Sequence, residues 1–321
     1  MNIIIYIILL IITLISFFTP NLFLMWLFLE ISSLLFCIYM NINSLKIYSI
    51  MYFLISCLTS ILIIYCFLNL FNSNINYILL FSLWMKLGLF PLNSWMNFLM
   101  KNINFNSLIL MLTILKCIPI FMFLNFINLN YNILIFLILM ILPPVMFSFN
   151  TSSLTLLMNY SSMYNIPLML IFSYLNMNLM LTYMIIYMLS TLMILLMLKE
   201  LNLFYKNSLT MKLNFKNKMS YNLMMFMYSQ LPPFTSFMIK WNLIESMMLN
   251  NYLSMLTMLI IISSLMMTFN YLNFNSNYFF LTNLKIGHKI NYNKKTNTNI
   301  MLIMYLSLLM FTMFIIYIFM N

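Results

Sequence analysis

The chain is a succession of apolar stretches about twenty residues long, joined by short Asn-, Ser- and Pro-containing breaks. A helix of that length crosses a bilayer. We place spans at about 3–19, 22–40, 47–70, 77–98, 107–126, 132–149, 153–173, 178–198, 219–247, 252–273 and 299–320. The expected fold is all-α: a polytopic membrane protein of about eleven transmembrane helices, with residues 1–321 as one transmembrane domain. Length leaves no room for a separate soluble domain. The N-terminus runs straight into a span without a basic region and cleavage site, so no cleaved signal is expected.

Lysine placement supports this count. Lys46 follows the second span and Lys101 the fourth. Lys199, Lys206, Lys212, Lys216 and Lys218 follow the eighth, and Lys285, Lys289, Lys294 and Lys295 the tenth. The loops after the odd-numbered spans carry none, so the basic loops share one side, as the positive-inside rule requires. The formal charge of +11 is therefore topological, and no nucleic-acid partner is expected. The N-terminus is expected on the basic side and the C-terminus opposite.

Composition adds a genomic signal. Ala, Arg and Asp are absent, Val145 is the only valine, and 37 residues are Met. Residues with AT-rich codons replace those with GC-rich ones, which points to an AT-rich organelle genome, most simply a mitochondrial one. Met here is apolar filler. Cys37, Cys57, Cys66 and Cys117 lack ligand spacing and read as small buried hydrophobes. His288 lies in a basic loop and reads as solvated.

Against this background Glu30, Lys86, Lys116 and Lys240 stand inside apolar runs. Ionisable residues at membrane depth mark functional sites by default, because unpaired charge there costs several kcal/mol. Lys86 lies shortly before Gly88 and Pro91, and Lys116 before Pro119. Lys240 follows Pro232 and Pro233. Each proline removes an amide donor and frees a carbonyl one turn back. Non-helical backbone at this depth is tolerated where it is buried or lines a water-filled cavity. All five positions are expected helix breaks. Glu30 is expected to pair with Lys86, and a pair whose charges can be separated is a switch; the alternative is a static pair that fixes packing. Lys240 either joins the site or snorkels from a span end. Glu245 is expected near Lys240 or Trp241. Ser161, Ser162, Tyr164 and Asn165 form a polar patch that either hosts water or packs helices.

The two broken spans are five spans apart, so the halves, about 1–128 and 129–275, are expected to be inverted repeats of five helices, followed by a C-terminal helix at about 299–320. No phosphate loop, dinucleotide fingerprint or cluster for iron–sulfur or haem is visible. No cofactor or metal is expected on this chain.

The blocks Trp26-Leu27-Phe28-Leu29-Glu30, Met85-Lys86-Leu87-Gly88 with Pro91 and Trp95, Leu115-Lys116 with Pro119, Asn159-Tyr160-Ser161-Ser162, and Leu231-Pro232-Pro233-Phe234-Thr235 through Lys240-Trp241 occur in that order. With them the chain resembles, over its whole length, the NADH dehydrogenase subunit 2 family, antiporter-like membrane subunits of mitochondrial respiratory complex I. The resemblance implies paired inverted five-helix bundles and a terminal helix, with three N-terminal helices found elsewhere missing. It implies proton translocation in the mitochondrial inner membrane, with the N-terminus on the matrix side and the C-terminus facing the intermembrane space. Glu30 and Lys86 would be the charge-switching pair, Lys116 the central lysine, and Lys240 the lysine toward the exit. FMN, iron–sulfur clusters and quinone would belong to other subunits. Partners would be other membrane-arm subunits, antiporter-like ones included, and inner-membrane lipids. Two positions depart from the family. Asn165 stands where a histidine is usual and cannot relay a proton by titrating. Leu154-Thr155-Leu156 replaces a basic pair. The rival functions are a purely structural subunit of the membrane arm and a stand-alone cation/proton antiporter.

Overall fold

The computed structural model describes residues 2–69, 75–127, 129–205, 215–231, 234–248 and 254–281. These residues form helices α1 (Asn2–Phe18), α2 (Leu22–Ile42), α3 (Lys46–Leu68), α4 (Ile75–Leu87), α5 (Ser94–Asn102), α6 (Phe105–Leu112), α7 (Ile114–Phe126), α8 (Tyr131–Ser148), α9 (Leu154–Leu175), α10 (Met177–Leu201), α11 (Phe215–Tyr228), α12 (Thr235–Met248) and α13 (Ser254–Leu281). No strand occurs among them. Six helical stretches are long and apolar enough to cross a membrane: α2, α3, α6 with α7, α8, α10 and the first part of α13. The chain is a multi-pass membrane protein. The span expected at 299–320 lies outside the described residues, as do Pro232, Pro233 and His288.

Two compact units divide after Leu134. In the first, α2 packs on α1, α3 and α7, while α4 packs on α3 and α7. Lipid tails are as apolar as leucine, so burial alone does not hold such helices together; close packing and hydrogen bonds do. Serines and threonines supply the small surfaces. Ser32, Ser56 and Thr59 are buried, and each hydroxyl donates to the carbonyl three residues earlier (Leu29, Phe53 and Ser56), so none of the three is left an orphan donor. The outer faces of α1 and α3 are aliphatic, with Ile3, Leu14, Ile47, Leu58 and Ile61 more than half exposed.

In the second unit α9 packs on α10 and α12, and α13 on α11 and α12. Helix α9 is buried along most of its length, and Pro167 is accommodated without interrupting it. At the end of α8, the Asn270 amide of α13 donates to the Val145 carbonyl at 3.4 Å and also bonds the Ser148 hydroxyl. Helix α10 ends on Asn202 in the left-handed conformation (φ 51°), whose amide reaches the Leu198 and Lys199 carbonyls.

The candidate proton-transfer sites

The span expected at 77–98 is two helices with an interruption between them. Helix α4 closes in a Schellman turn: the Gly88 amide donates to the Met85 carbonyl at 3.1 Å and the Leu89 amide to the Trp84 carbonyl at 3.2 Å. Gly88 takes φ 65°, and a Cβ there would lie 2.9 Å from the Met96 Cβ. Both the backbone angle and the close approach require glycine. The Phe90–Pro91 bond is cis, and the Trp84 indole nitrogen donates to the Phe90 carbonyl at 2.6 Å. Lys86 therefore sits in the last turn of α4, where the exposed carbonyl dipoles favour a cation. The break falls at Gly88 and Pro91, as the sequence suggests.

Pro119 does not break its helix. The expected interruption is displaced six residues upstream, to Thr113 between α6 and α7, with φ −110° and ψ −82°. The Thr113 hydroxyl and amide both turn back to the Ile109 carbonyl, at 2.6 and 3.1 Å. Lys116 lies in the first turn after this kink, and Pro119 continues the helix. The carbonyl left without its helical donor by Pro119 belongs to Leu115, in the first turn of the restarted helix.

These two interruptions bring Lys86 and Lys116 to one place. The Lys86 Nζ lies 3.7 Å from the Glu30 Oε1, with the side chains 7% and 21% exposed. That is an ion pair without a direct hydrogen bond, and neither atom has another hydrogen-bond partner. Lys116 is 3% exposed. Lys86 and Lys116 both line a cavity of about 20 Å³ with Ser32, Tyr52, Trp95 and Pro119. The Trp95 indole nitrogen is buried and lacks a hydrogen-bond partner. A cavity of this size holds roughly one water, and a buried water needs two to four polar neighbours. Sequence reasoning singled out the charges, but it missed Ser32 and Tyr52, whose place depends on how α2 and α3 are rotated.

In the second unit Lys240 of α12 does not pair with Glu245. Its ammonium donates to the Tyr164 hydroxyl of α9 at 3.1 Å and lies 4.5 Å from that ring's centre. Asn165 joins a different cluster. Its amide nitrogen donates to the Ser161 carbonyl at 2.9 Å, and its oxygen accepts from the Tyr183 hydroxyl at 2.6 Å and the Gln230 amide at 3.4 Å. Gln230 also donates to Tyr183 at 3.2 Å and takes φ 59° in the turn after α11. The Ser161 hydroxyl bonds the Tyr228 hydroxyl. Ser162 is buried and donates to the Asn159 carbonyl at 2.7 Å, within its own helix. The polar patch of α9 thus splits: Tyr164 faces the lysine, while Asn165 and Ser161 face tyrosines of α10 and α11. Tyr183 and Gln230 were not singled out as site residues, because no spacing in the sequence ties these helices together.

No family model matches the chain, and no curated protein matches it. Solved structures do. A chain of respiratory complex I from Thermus thermophilus with bound aureothin superposes with a TM-score of 0.76 at 15% identity, covering 92% of this chain and 73% of that one. A chain of the membrane-bound sulfane sulfur reductase, an archaeal respiratory membrane complex, gives 0.69 at 14% identity, over 97% and 72%. A chain of the Mrp complex from Dietzia sp. DQ12-45-1b gives 0.65 at 13% identity, over 84% of this chain and 59% of that one. What is shared is the fold. At these identities the likeness speaks to helix arrangement, and the chemistry rests on the residues described above.

Proposed function

We propose that the chain is a proton-translocating membrane subunit of NADH:ubiquinone oxidoreductase, respiratory complex I, in the inner mitochondrial membrane. The observation that carries this reading is the shared cavity of Lys86 and Lys116, with Glu30 beside Lys86. Two ammonium groups on one small cavity repel each other, and the carboxylate stabilises the nearer one. A proton arriving at Lys116 and a carboxylate withdrawing from Lys86 are therefore coupled events. Water in the cavity would let the proton pass between them. The redox chemistry, with its FMN, iron–sulfur clusters and quinone, would lie on other subunits and drive this chain through the membrane arm. Likeness in fold to chains of a respiratory complex I and a second respiratory membrane complex supports that setting.

The composition supports the mitochondrial placement, and the basic loops support an N-terminus on the matrix side. Lys240 would serve the exit half of the path. A purely structural subunit would use its charges as sealed, directly hydrogen-bonded pairs. The 3.7 Å gap and the cavity beside it favour transport.

The test is Lys116→Met in the assembled complex, reconstituted in vesicles. The expected result is loss or strong reduction of pumping through this subunit, read as a lower proton-to-electron ratio. An unchanged ratio removes Lys116 from the path. A structural subunit would show poor assembly but a normal ratio in whatever assembles. Ion transport by the isolated chain in liposomes would instead indicate a stand-alone antiporter.

A further inference from the structure

Trp95 lies in the first turn of α5, directly after the break at Gly88 and Pro91, and is 7% exposed. Its indole nitrogen is buried and has no hydrogen-bond partner, a costly state for an N–H group. The ring carbon Cζ2, two bonds from that nitrogen, is 3.2 Å from where a Cβ on Gly88 would stand. The N–H edge of the ring therefore abuts the helix break, two residues after Lys86. The same ring is centred 6.2 Å from that of Tyr52. Both residues line the cavity of about 20 Å³ with Lys86 and Lys116, and that space holds roughly one water. An indole N–H can only donate, and so can an ammonium, so neither lysine in its charged form can satisfy it. A water molecule can, because it brings two lone pairs.

We propose that Trp95 is a positioning residue: its indole N–H holds the water of this cavity and so decides how that water can bond the two lysines. This rests on the proton-translocation reading above. With one lone pair of the water on the indole, one lone pair remains, and a single ammonium can donate to it. The other lysine bonds the same water only when neutral, by accepting one of its hydrogens. The water thus links one charged lysine to one neutral lysine and never bridges two ammonium groups. When Glu30 withdraws from Lys86, an N–H bond of that ammonium breaks as its proton bonds to the water oxygen. An O–H bond of the water breaks as its hydrogen bonds to the lone pair of the Lys116 nitrogen. Lys86 ends neutral, Lys116 ends as an ammonium, and the water is restored. Trp95 neither gains nor loses a proton.

A tryptophan that only packs against Gly88 would need its ring and not its N–H. Two measurements on the assembled complex separate these roles. The first is a water-resolving map of the native complex, where density is expected about 3 Å from the Trp95 Nε1. The second is proton transport per assembled complex in vesicles for Trp95→Phe, which keeps an aromatic ring and removes the N–H, beside Lys116→Met. Transport is expected to fall by roughly tenfold to a hundredfold, the scale on which a misplaced reacting group slows a transfer. A packing role would lower the amount of assembled complex and leave transport per complex unchanged. If Lys116→Met abolishes transport while Trp95→Phe retains it, the inference is overturned and the wider reading stands. If Lys116→Met transports normally, the wider reading fails and the role of Trp95 in transfer fails with it. Should Trp95→Phe not assemble, the native map decides alone: a dry Nε1 overturns the inference, and a water bonded to it upholds it.

Discussion

Lys86 and Glu30 stand 3.7 Å apart, close enough to attract and too far to share a direct hydrogen bond. At that separation the attraction is of order 4 kcal/mol for an effective dielectric of about 20. The cost of taking both charges out of water opposes that attraction, so the pair depends on its geometry.

The two single variants should be worse than the double one. Lys86→Met leaves the Glu30 carboxylate without its counter-charge, and Glu30→Gln does the same to the lysine. Each is expected to lower stability by about 3 kcal/mol, the usual cost of breaking one side of a buried pair. Glu30→Gln with Lys86→Met should recover most of that loss and still not pump. Thermal unfolding of the assembled complex and the proton-to-electron ratio, measured on the same preparations, check the two halves of this statement. A double variant that pumps would leave the pair with packing alone.

Gly88 is the next most sensitive position. Gly88→Ala is expected to destabilise by about 1–2 kcal/mol for the left-handed angle alone, with further loss from crowding. The new Cβ would meet the Met96 Cβ at 2.9 Å and its Cγ at 3.1 Å. Met96→Ala added to it removes only the Cγ contact, so little rescue is expected. Comparing melting temperatures of the single and double variants measures this.

Much of this arrangement was legible in the chain, for identifiable reasons. Apolar length marks helices, and a glycine followed by a proline marks an interruption wherever it falls, which located the break after Lys86. A carboxylate within reach of few cations has few partners, which located Glu30 beside Lys86. Pro119 misled because a missing amide shows where a helix is weakened, while the interruption falls at Thr113, where the backbone leaves the helical region and the hydroxyl and amide both bond the Ile109 carbonyl. The contacts of Lys240 and Asn165 were hidden for a different reason. With apolar residues on every face, periodicity does not report helix rotation, so nothing in the sequence says that Tyr183 and Gln230 turn toward α9.

Asn165 offers a test of whether a titrating side chain is needed at that place. Its oxygen accepts from Tyr183 and Gln230 together. Asn165→His retains an acceptor for the Tyr183 hydroxyl and is expected to assemble with near-normal pumping. Asn165→Leu orphans the Tyr183 hydroxyl, at a cost of about 1–3 kcal/mol where it stays buried, while the Gln230 amide keeps its bond to Tyr183. Assembly yield and melting temperature should separate the two variants clearly. Equal stability for histidine and leucine would show that the cluster contributes nothing.

The cavity shared by Lys86 and Lys116 can be closed without touching either charge. Ser32 lines it, and its hydroxyl is already bonded to the Leu29 carbonyl at 2.9 Å. Ser32→Thr keeps that hydroxyl and adds one methyl group, about what a space of 20 Å³ admits. A dry, filled cavity would leave the two lysines without a shared water. The expected outcome is a complex that assembles and melts as before, yet loses proton transport through this subunit. Ser32→Ala, which removes the hydroxyl and adds nothing, should keep transport. If the threonine variant pumps at the normal ratio, protons do not cross between Lys86 and Lys116 by way of this cavity, and the path must leave Lys116 on another side.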